Sequence, residues 1–123
     1  MTINDFKKLP IWQESLRNTK IIYDISSTKE FSRDFGLRDQ IRRAIVSVSS
    51  NIVEGFEKNN NNEFIRYLRI AKGSLGEVRN QLEIAKIVEY ITEEEMNKID
   101  QELINLSSQI GGFIKYLETK RRK

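Results

Sequence analysis

The stretch Phe64-Ile65-Arg66-Tyr67-Leu68-Arg69-Ile70-Ala71-Lys72-Gly73-Ser74-Leu75-Gly76-Glu77-Val78-Arg79-Asn80-Gln81-Leu82-Glu83-Ile84-Ala85 decides the fold. Phe64, Leu68, Ala71, Leu75, Val78, Leu82 and Ala85 recur at alternating steps of four and three, the spacing of one face of an α-helix. Upstream, Leu37, Ile41, Ala44, Val48, Ile52 and Gly55 draw a second stripe of the same kind. The Asn59–Asn62 run between them suits a turn and an N-cap, because a short amide can accept from the free N–H groups of a first helical turn. Leu9, Trp12, Leu16, Thr19 and Tyr23 mark an earlier segment. Pro10 sits in its first turn, where a missing N–H goes unnoticed, and Ser26-Ser27-Thr28 end it.

Downstream, the third segment stops near Tyr90-Ile91. Thr92-Glu93-Glu94-Glu95 then opens a fourth segment with a capping box, in which Thr92 and Glu95 each cover the other's free N–H. Ile91 and Met96 flank that cap at the spacing of a hydrophobic staple. The stripe runs on through Met96, Ile99, Leu103, Leu106, Ile110, Phe113 and Leu117. The acidic start and the basic end, Lys120-Arg121-Arg122-Lys123, both oppose the helix dipole. No stretch alternates with period two for long enough to predict a sheet. Four amphipathic segments with short polar connections predict an all-α protein: an antiparallel up-down-up-down four-helix bundle, one domain over residues 1–123. Domains most often run to roughly 100–150 residues, which fits.

Apolar residues also lie outside the stripes: Ile22 and Ile25 on segment one, Ile45 on segment two, and Ile70, Ile84 and Ile87 on segment three. A monomeric bundle needs only about three apolar positions in seven. The surplus either thickens the core or forms a subunit interface, and the cost of exposed apolar patches favours the interface.

Composition removes several kinds of chemistry. Cysteine and histidine are both absent. That excludes Cys/His zinc sites, a cysteine nucleophile, a Ser-His pair and disulfides; the last fits a reducing cytoplasm. No apolar core of a signal peptide follows Met1, and no apolar run approaches the roughly 20 residues of a membrane span. Lysine and arginine number 21 against 18 acids, a formal net charge of +3. Such a mild basic bias permits nucleic-acid contact without requiring it.

Gln40, Ser47, Asn51 and Glu54 form a polar cluster beside the stripe of segment two. Glu54 three residues after Asn51 faces the same way, as a candidate general base or as a structural carboxylate held by Asn51 or a basic residue. Acid/base work needs a tuned partner, a nucleophile or a metal nearby, and none is visible, so the structural role is the expectation. Glu-x-x-His di-metal sites are excluded without histidine. No cofactor signature is present. Gly73-Ser74-Leu75-Gly76 lacks both the spacing and the preceding strand of a phosphate loop. Two glycines inside a helix cost roughly 1 kcal/mol each, and the expected reason is close approach of another backbone, within the bundle or across an interface. Arg38, Arg42 and Arg43 line segment two, while Arg66, Arg69 and Lys72 step by three along segment three. With the 120–123 tail they are candidates for phosphate contact. The plain alternative is a solvated face paired with Glu57, Glu63, Glu77 and Glu83.

Phe35-Gly36-Leu37-Arg38-Asp39-Gln40-Ile41-Arg42-Arg43-Ala44, then Ser47, then Asn51-Ile52-Val53-Glu54-Gly55, resembles the small four-helix-bundle proteins of bacterial 23S rRNA intervening sequences. Phe6, Leu9 and Trp12, then Gly73-Ser74-Leu75 with Glu77, Leu82 and Ala85, extend the resemblance over nearly the whole chain. It implies the same bundle and assembly into a ring-shaped homopentamer. It also implies a ribosomal-protein-like label, an unestablished biochemical role and no catalytic residues to transfer. A relative of that family is the accessory variability protein of diversity-generating retroelements, which is more basic and binds nucleic acid and a reverse transcriptase. The expectation is therefore a non-enzymatic, cytoplasmic, homo-oligomeric scaffold that binds RNA or a ribonucleoprotein, with no membrane association. A nucleic-acid-processing protein is a further candidate partner. The alternative is a protein–protein adaptor that binds no nucleic acid, and an enzyme using Glu54 is the third reading.

Overall fold

The computed structural model describes residues 3–121, and among them every regular element is helical. A short 3-10 turn, Phe6–Lys8, leads into α1 (Pro10–Ile25), α2 (Lys29–Arg33), α3 (Phe35–Glu57), α4 (Asn61–Ile87) and α5 (Glu93–Arg121). The four long helices are the four stripes of the sequence. The short α2 is a departure, since only a polar connection was expected after Ser26. Phe31 accounts for it: one fully buried ring packs 5.7 Å from the ring of Tyr90, and a helical turn delivers it there.

The helix ends follow from local chemistry. Pro10 occupies the first turn of α1. Asp34 accepts from the Leu37 N–H at 3.1 Å to cap α3, and Asn60 accepts from the Glu63 N–H at 3.0 Å to cap α4. At α5 the capping box is complete: the Thr92 N–H donates to Glu95 at 2.8 Å and the Glu95 N–H donates to Thr92 at 3.0 Å. Ile91 and Met96 are both buried, as a staple requires. Of the basic tail, Arg122, Lys123 and the Arg121 side chain lie outside the described residues.

Side-chain contacts fix the directions. Ser47 on α3 meets Ser74 on α4. Arg79 pairs with Asp100 and Arg69 with Glu118, so rising numbers on α4 meet falling numbers on α5 in reverse. Arg17 pairs with Glu102 across α1 and α5, and Arg42 near the start of α3 reaches Ser26 at the end of α1. Neighbouring long helices therefore run antiparallel. Ile41, Ile45, Val48 and Ile52 of α3, Leu68, Leu75 and Leu82 of α4, and Leu103, Leu106 and Ile110 of α5 fill the centre.

Helix α1 is rotated from its expected setting. The residues it buries are Ile11, Ser15, Asn18 and Ile22, one position before the Trp12-Leu16-Thr19-Tyr23 stripe, or about 100° around the helix. Leu16 is 41% and Tyr23 39% exposed. Two polar side chains lie inside and bond back to their own helix, Ser15 to the Trp12 carbonyl at 2.6 Å and the Asn18 amide N–H to the Glu14 carbonyl at 2.8 Å, while the Asn18 amide oxygen is buried without a hydrogen-bond partner.

The glycines also fall differently. A Cβ built at Gly73 or Gly76 meets nothing within 4 Å, so neither supports a close approach within the bundle. The tight place is Gly55, where a Cβ would lie 2.8 Å from the Tyr67 Cβ and 2.9 Å from the Phe64 ring. The surplus isoleucines divide: Ile22 and Ile45 are fully buried, whereas Ile70, Ile84 and Ile87 are exposed.

Candidate nucleic-acid interface

The six basic candidates do not converge. Because Ser47 and Ser74 are level in an antiparallel pair, Arg69 stands level with residue 52 of α3. Arg43 is nine residues from that level, roughly 13 Å along the axis at a rise of about 1.5 Å per residue. Arg38, Arg42 and Arg43 thus occupy one end of the bundle and Arg66, Arg69 and Lys72 lie toward the other.

Their commitments differ as well. Arg42 donates to Ser26 and Ser27 hydroxyls, each at 2.9 Å, and its guanidinium lies 4.6 Å from the centre of the Tyr23 ring. It clamps the end of α1 to α3. Arg38 donates to the Ser32 carbonyl at 3.1 Å and to Asp39 at 3.0 Å. Arg66 pairs with Glu63 at 3.0 Å and covers the Tyr67 ring; the hydrogen bond and charge of Arg66 hold the Glu63 carboxyl below its ordinary range. Arg69 pairs with Glu118 at 3.1 Å. Arg43 and Lys72 carry no ion pair among the described residues.

The polar cluster of α3 is only partly assembled. The Asn51 amide donates to the Ser47 carbonyl at 2.8 Å, and Ser47 shares a hydrogen bond with Ser74. Glu54 turns away: it is largely exposed, does not bond Asn51, and lies 3.9 Å from Lys58. Glu54 and Asn51 therefore do not form the pair that their spacing suggests.

Gln40 and Ser47 instead join residues of α4. A cleft of about 320 Å³ between the two helices is lined by Gln40, Arg43, Ala44, Ser47, Glu77 and Gln81. Gln81 is only 9% exposed, and its amide oxygen has no hydrogen-bond partner. Reading the sequence by stripe hides Gln81. The available signal was its position three residues after Val78 and four before Ala85, which sets a polar side chain on the flank of the core face.

With this geometry in hand, the family model described as 23S rRNA-intervening sequence protein matches residues 7–112. The chain belongs to the 23S rRNA-intervening sequence protein family. A crystal structure described as a protein of unknown function from the S23 ribosomal protein family of Bacteroides thetaiotaomicron has a similar fold. Its TM-score is 0.77 and its sequence identity 26%, over 85% of this chain and 98% of that one. No curated protein matches the sequence. The family match spans α1, α3 and α4 entirely and most of α5, so the bundle and the cleft both fall inside it. Among the described residues no helix is long and apolar enough to cross a membrane.

Proposed function

We propose that this member of the family is a self-assembling helical scaffold that binds RNA through repeated basic side chains, acting by association rather than catalysis. The observation that carries the assembly is a pair of separate apolar faces left without a partner. On the first, Leu16 and Tyr23 share one side of α1. Val46 lies one turn along α3 from Arg42, which covers Tyr23. On the second, at one end of the bundle, Phe35 is 64%, Ile87 74% and Val88 47% exposed. The hydrogen bond from the Tyr90 hydroxyl to Asp34, 2.9 Å, ties the start of α3 to the turn after α4 and so gathers that end.

Two different faces on one subunit favour a heterologous contact, which closes into a ring when the rotation permits. The homopentamer implied by the family resemblance is such a ring. Symmetry would then repeat Arg43 and Lys72 around it and multiply phosphate contacts that one subunit makes only weakly. The family's tie to 23S rRNA insertions makes RNA the first ligand to test.

Light scattering of the wild-type chain, of Val46→Glu and of Ile87→Glu tests the assembly. The expected result is a multi-subunit particle for the wild type and folded, smaller species for both variants; a wild-type monomer refutes it. Titration with structured RNA at low and moderate salt tests the ligand. The expected affinity falls steeply with salt, and binding without salt dependence removes the phosphate contacts.

A further inference from the structure

We infer that the end of the bundle where α3 turns into α4 carries a stacking site for an unpaired nucleobase, with Tyr116 as its platform. The inference deepens the RNA reading by naming the part of a strand that is held, and rests on that reading for the ligand's source.

Three observations meet at that end. First, four aromatic rings form a chain from α3 through α4 to α5. Centre-to-centre distances are 6.0 Å from Phe56 to Phe64, 5.4 Å from Phe64 to Phe113 and 5.9 Å from Phe113 to Tyr116. The first two contacts are edge-on, a common arrangement in packed interiors. The last is within 9° of parallel and ends on a side chain that is 51% exposed. Tyr116 is thus a flat ring backed by another ring and open to solvent. Second, all four rings line a cleft of about 240 Å³ that Asn59, Asn60 and Asn61 also line. The Asn60 oxygen is used to cap α4, but the Asn59 and Asn61 side-chain amides carry no hydrogen bond among the described residues. No carboxylate lines the cleft among those residues. Third, cations flank the outer rings. The Lys120 amine lies 5.5 Å from the centre of Tyr116, and at the same end Lys58 and Arg66 lie 5.7 Å and 4.6 Å from the centre of Tyr67.

A nucleotide matches each of these features, with a flat face, a polar edge and an attached anion. A base laid on Tyr116 extends the stack begun by Phe113, as bases do on aromatic side chains in single-strand binding. Its edge meets the free amides, and its phosphate meets Lys120. An asparagine amide both donates and accepts, so different base edges find a partner and the site accepts an unpaired base with little preference for sequence. A duplex keeps its bases stacked on one another and cannot enter. An apolar peptide would use the rings but leave the amides and lysines unmatched. The site lies at the opposite end of the bundle from Phe35, Ile87 and Val88, so that apolar face does not compete for it.

The test titrates the full-length protein at about physiological salt with single-stranded oligoadenosine of about eight nucleotides, with the same strand paired to oligouridine, and with adenosine monophosphate. Tyr116→Trp keeps a flat ring and adds a fluorescent reporter, and the wild type, which has Trp12 alone, supplies the background. The expected result is that the single strand quenches Tyr116→Trp well beyond that background. Tyr116→Leu weakens the single strand about tenfold, in line with one lost base–aromatic stack. Its salt slope stays that of the wild type, because a ring releases no counterion. Single-strand affinity unchanged in Tyr116→Leu overturns the site, as does the absence of extra quenching in Tyr116→Trp; where the strand still binds, the RNA reading survives that failure. An equal loss of duplex affinity in Tyr116→Leu would make Tyr116 structural and also overturns the site. If Tyr116→Leu fails to fold, the quenching of Tyr116→Trp decides. If no strand binds but adenosine monophosphate quenches Tyr116→Trp, the site stands and the RNA reading falls. If no probe binds, both fall.

Discussion

Gly55 and Gly73 are both glycines inside long helices, and replacing each with alanine separates the packing of α3 on α4 from helix propensity. Either substitution gains about 1 kcal/mol of propensity. At Gly73 nothing lies within 4 Å of the new methyl, so the gain stands and the melting temperature rises by about 4 °C for a domain of this size. At Gly55 the methyl meets the Tyr67 Cβ at 2.8 Å, the Phe64 ring at 2.9 Å and the Phe64 Cα at 3.3 Å. Two of those atoms are fixed to the α4 backbone, so no rotamer change relieves them. The helices must part by about 0.6 Å to reach ordinary contact at 3.4 Å. Overpacking of this kind costs typically 1–3 kcal/mol. The upper part of that range applies, leaving Gly55→Ala about 1–2 kcal/mol less stable than wild type. Because the propensity gain is common to both, the difference between the two variants, about 2–3 kcal/mol, reports the close approach itself. Urea unfolding followed by helical circular dichroism, at fixed protein concentration, measures both midpoints. If Gly55→Ala is stabilised as much as Gly73→Ala, α3 and α4 do not approach as described.

Two further outcomes follow from the helix ends. Thr92→Ala removes the Oγ1 acceptor that covers the Glu95 N–H and should lose about 1 kcal/mol in the same assay, with Thr92→Ser restoring it. Tyr90→Phe changes the pH dependence. The Leu37 N–H first, and the Tyr90 hydroxyl second, hold the Asp34 carboxyl below its ordinary 3.8. A lowered carboxyl contributes stability above its unfolded value and loses it as pH falls through the folded one. Without the Tyr90 donor the folded value moves back up, so the acid limb of the melting curve against pH shifts to higher pH. The same hydrogen bond raises Tyr90 above its ordinary 10.0; its contribution is whole below pH 10 and fades as pH climbs past the raised value. Tyr90→Phe should abolish that alkaline loss, and superimposable curves from pH 2 to 11 would show that the bond contributes nothing.

The helices were legible because each kind of signal repeated independently. In α4 the stripe of Phe64 to Ala85 is buried along its length, and the Asn60 and Thr92 caps sit at the positions their hydrogen bonding dictates. Helix α1 shows where such reading fails. Its most apolar stripe, Trp12-Leu16-Thr19-Tyr23, is not the buried one: Ser15 and Asn18 take core positions, each donating to a carbonyl of its own helix although the Asn18 amide oxygen is left unpaired. A hydrophobic count cannot see that an amide has found a carbonyl four residues back. The candidate site failed for a related reason. Residue spacing reported that Arg38, Arg42 and Arg43 share a helix but not that Arg42 is used to hold Ser26 and Ser27. Spacing offered Glu77 only as one of four acids facing the basic residues, and Gln81 not at all; the cleft they share with Gln40 and Arg43 depends on the register of α3 on α4.

The same commitments bear on how RNA would be held. Of the six basic candidates, Arg43 and Lys72 are unpaired among the described residues. Arg66 and Arg69 sit in exposed ion pairs, which are worth roughly 0–1 kcal/mol and yield readily to a phosphate. Arg42 is different, since moving it would release the end of α1. One subunit would therefore engage only a few phosphates. Each single-strand contact contributes a slope of about 0.7 in the logarithm of affinity against that of salt, so one subunit alone would respond gently to added salt. A ring engaging several subunits would respond several times more steeply with no new kind of contact. The salt slope thus counts the subunits that touch the strand. A slope that keeps its wild-type value in Ile87→Glu, once that variant is shown to be a folded monomer, would mean that assembly and RNA binding are separate properties of the bundle.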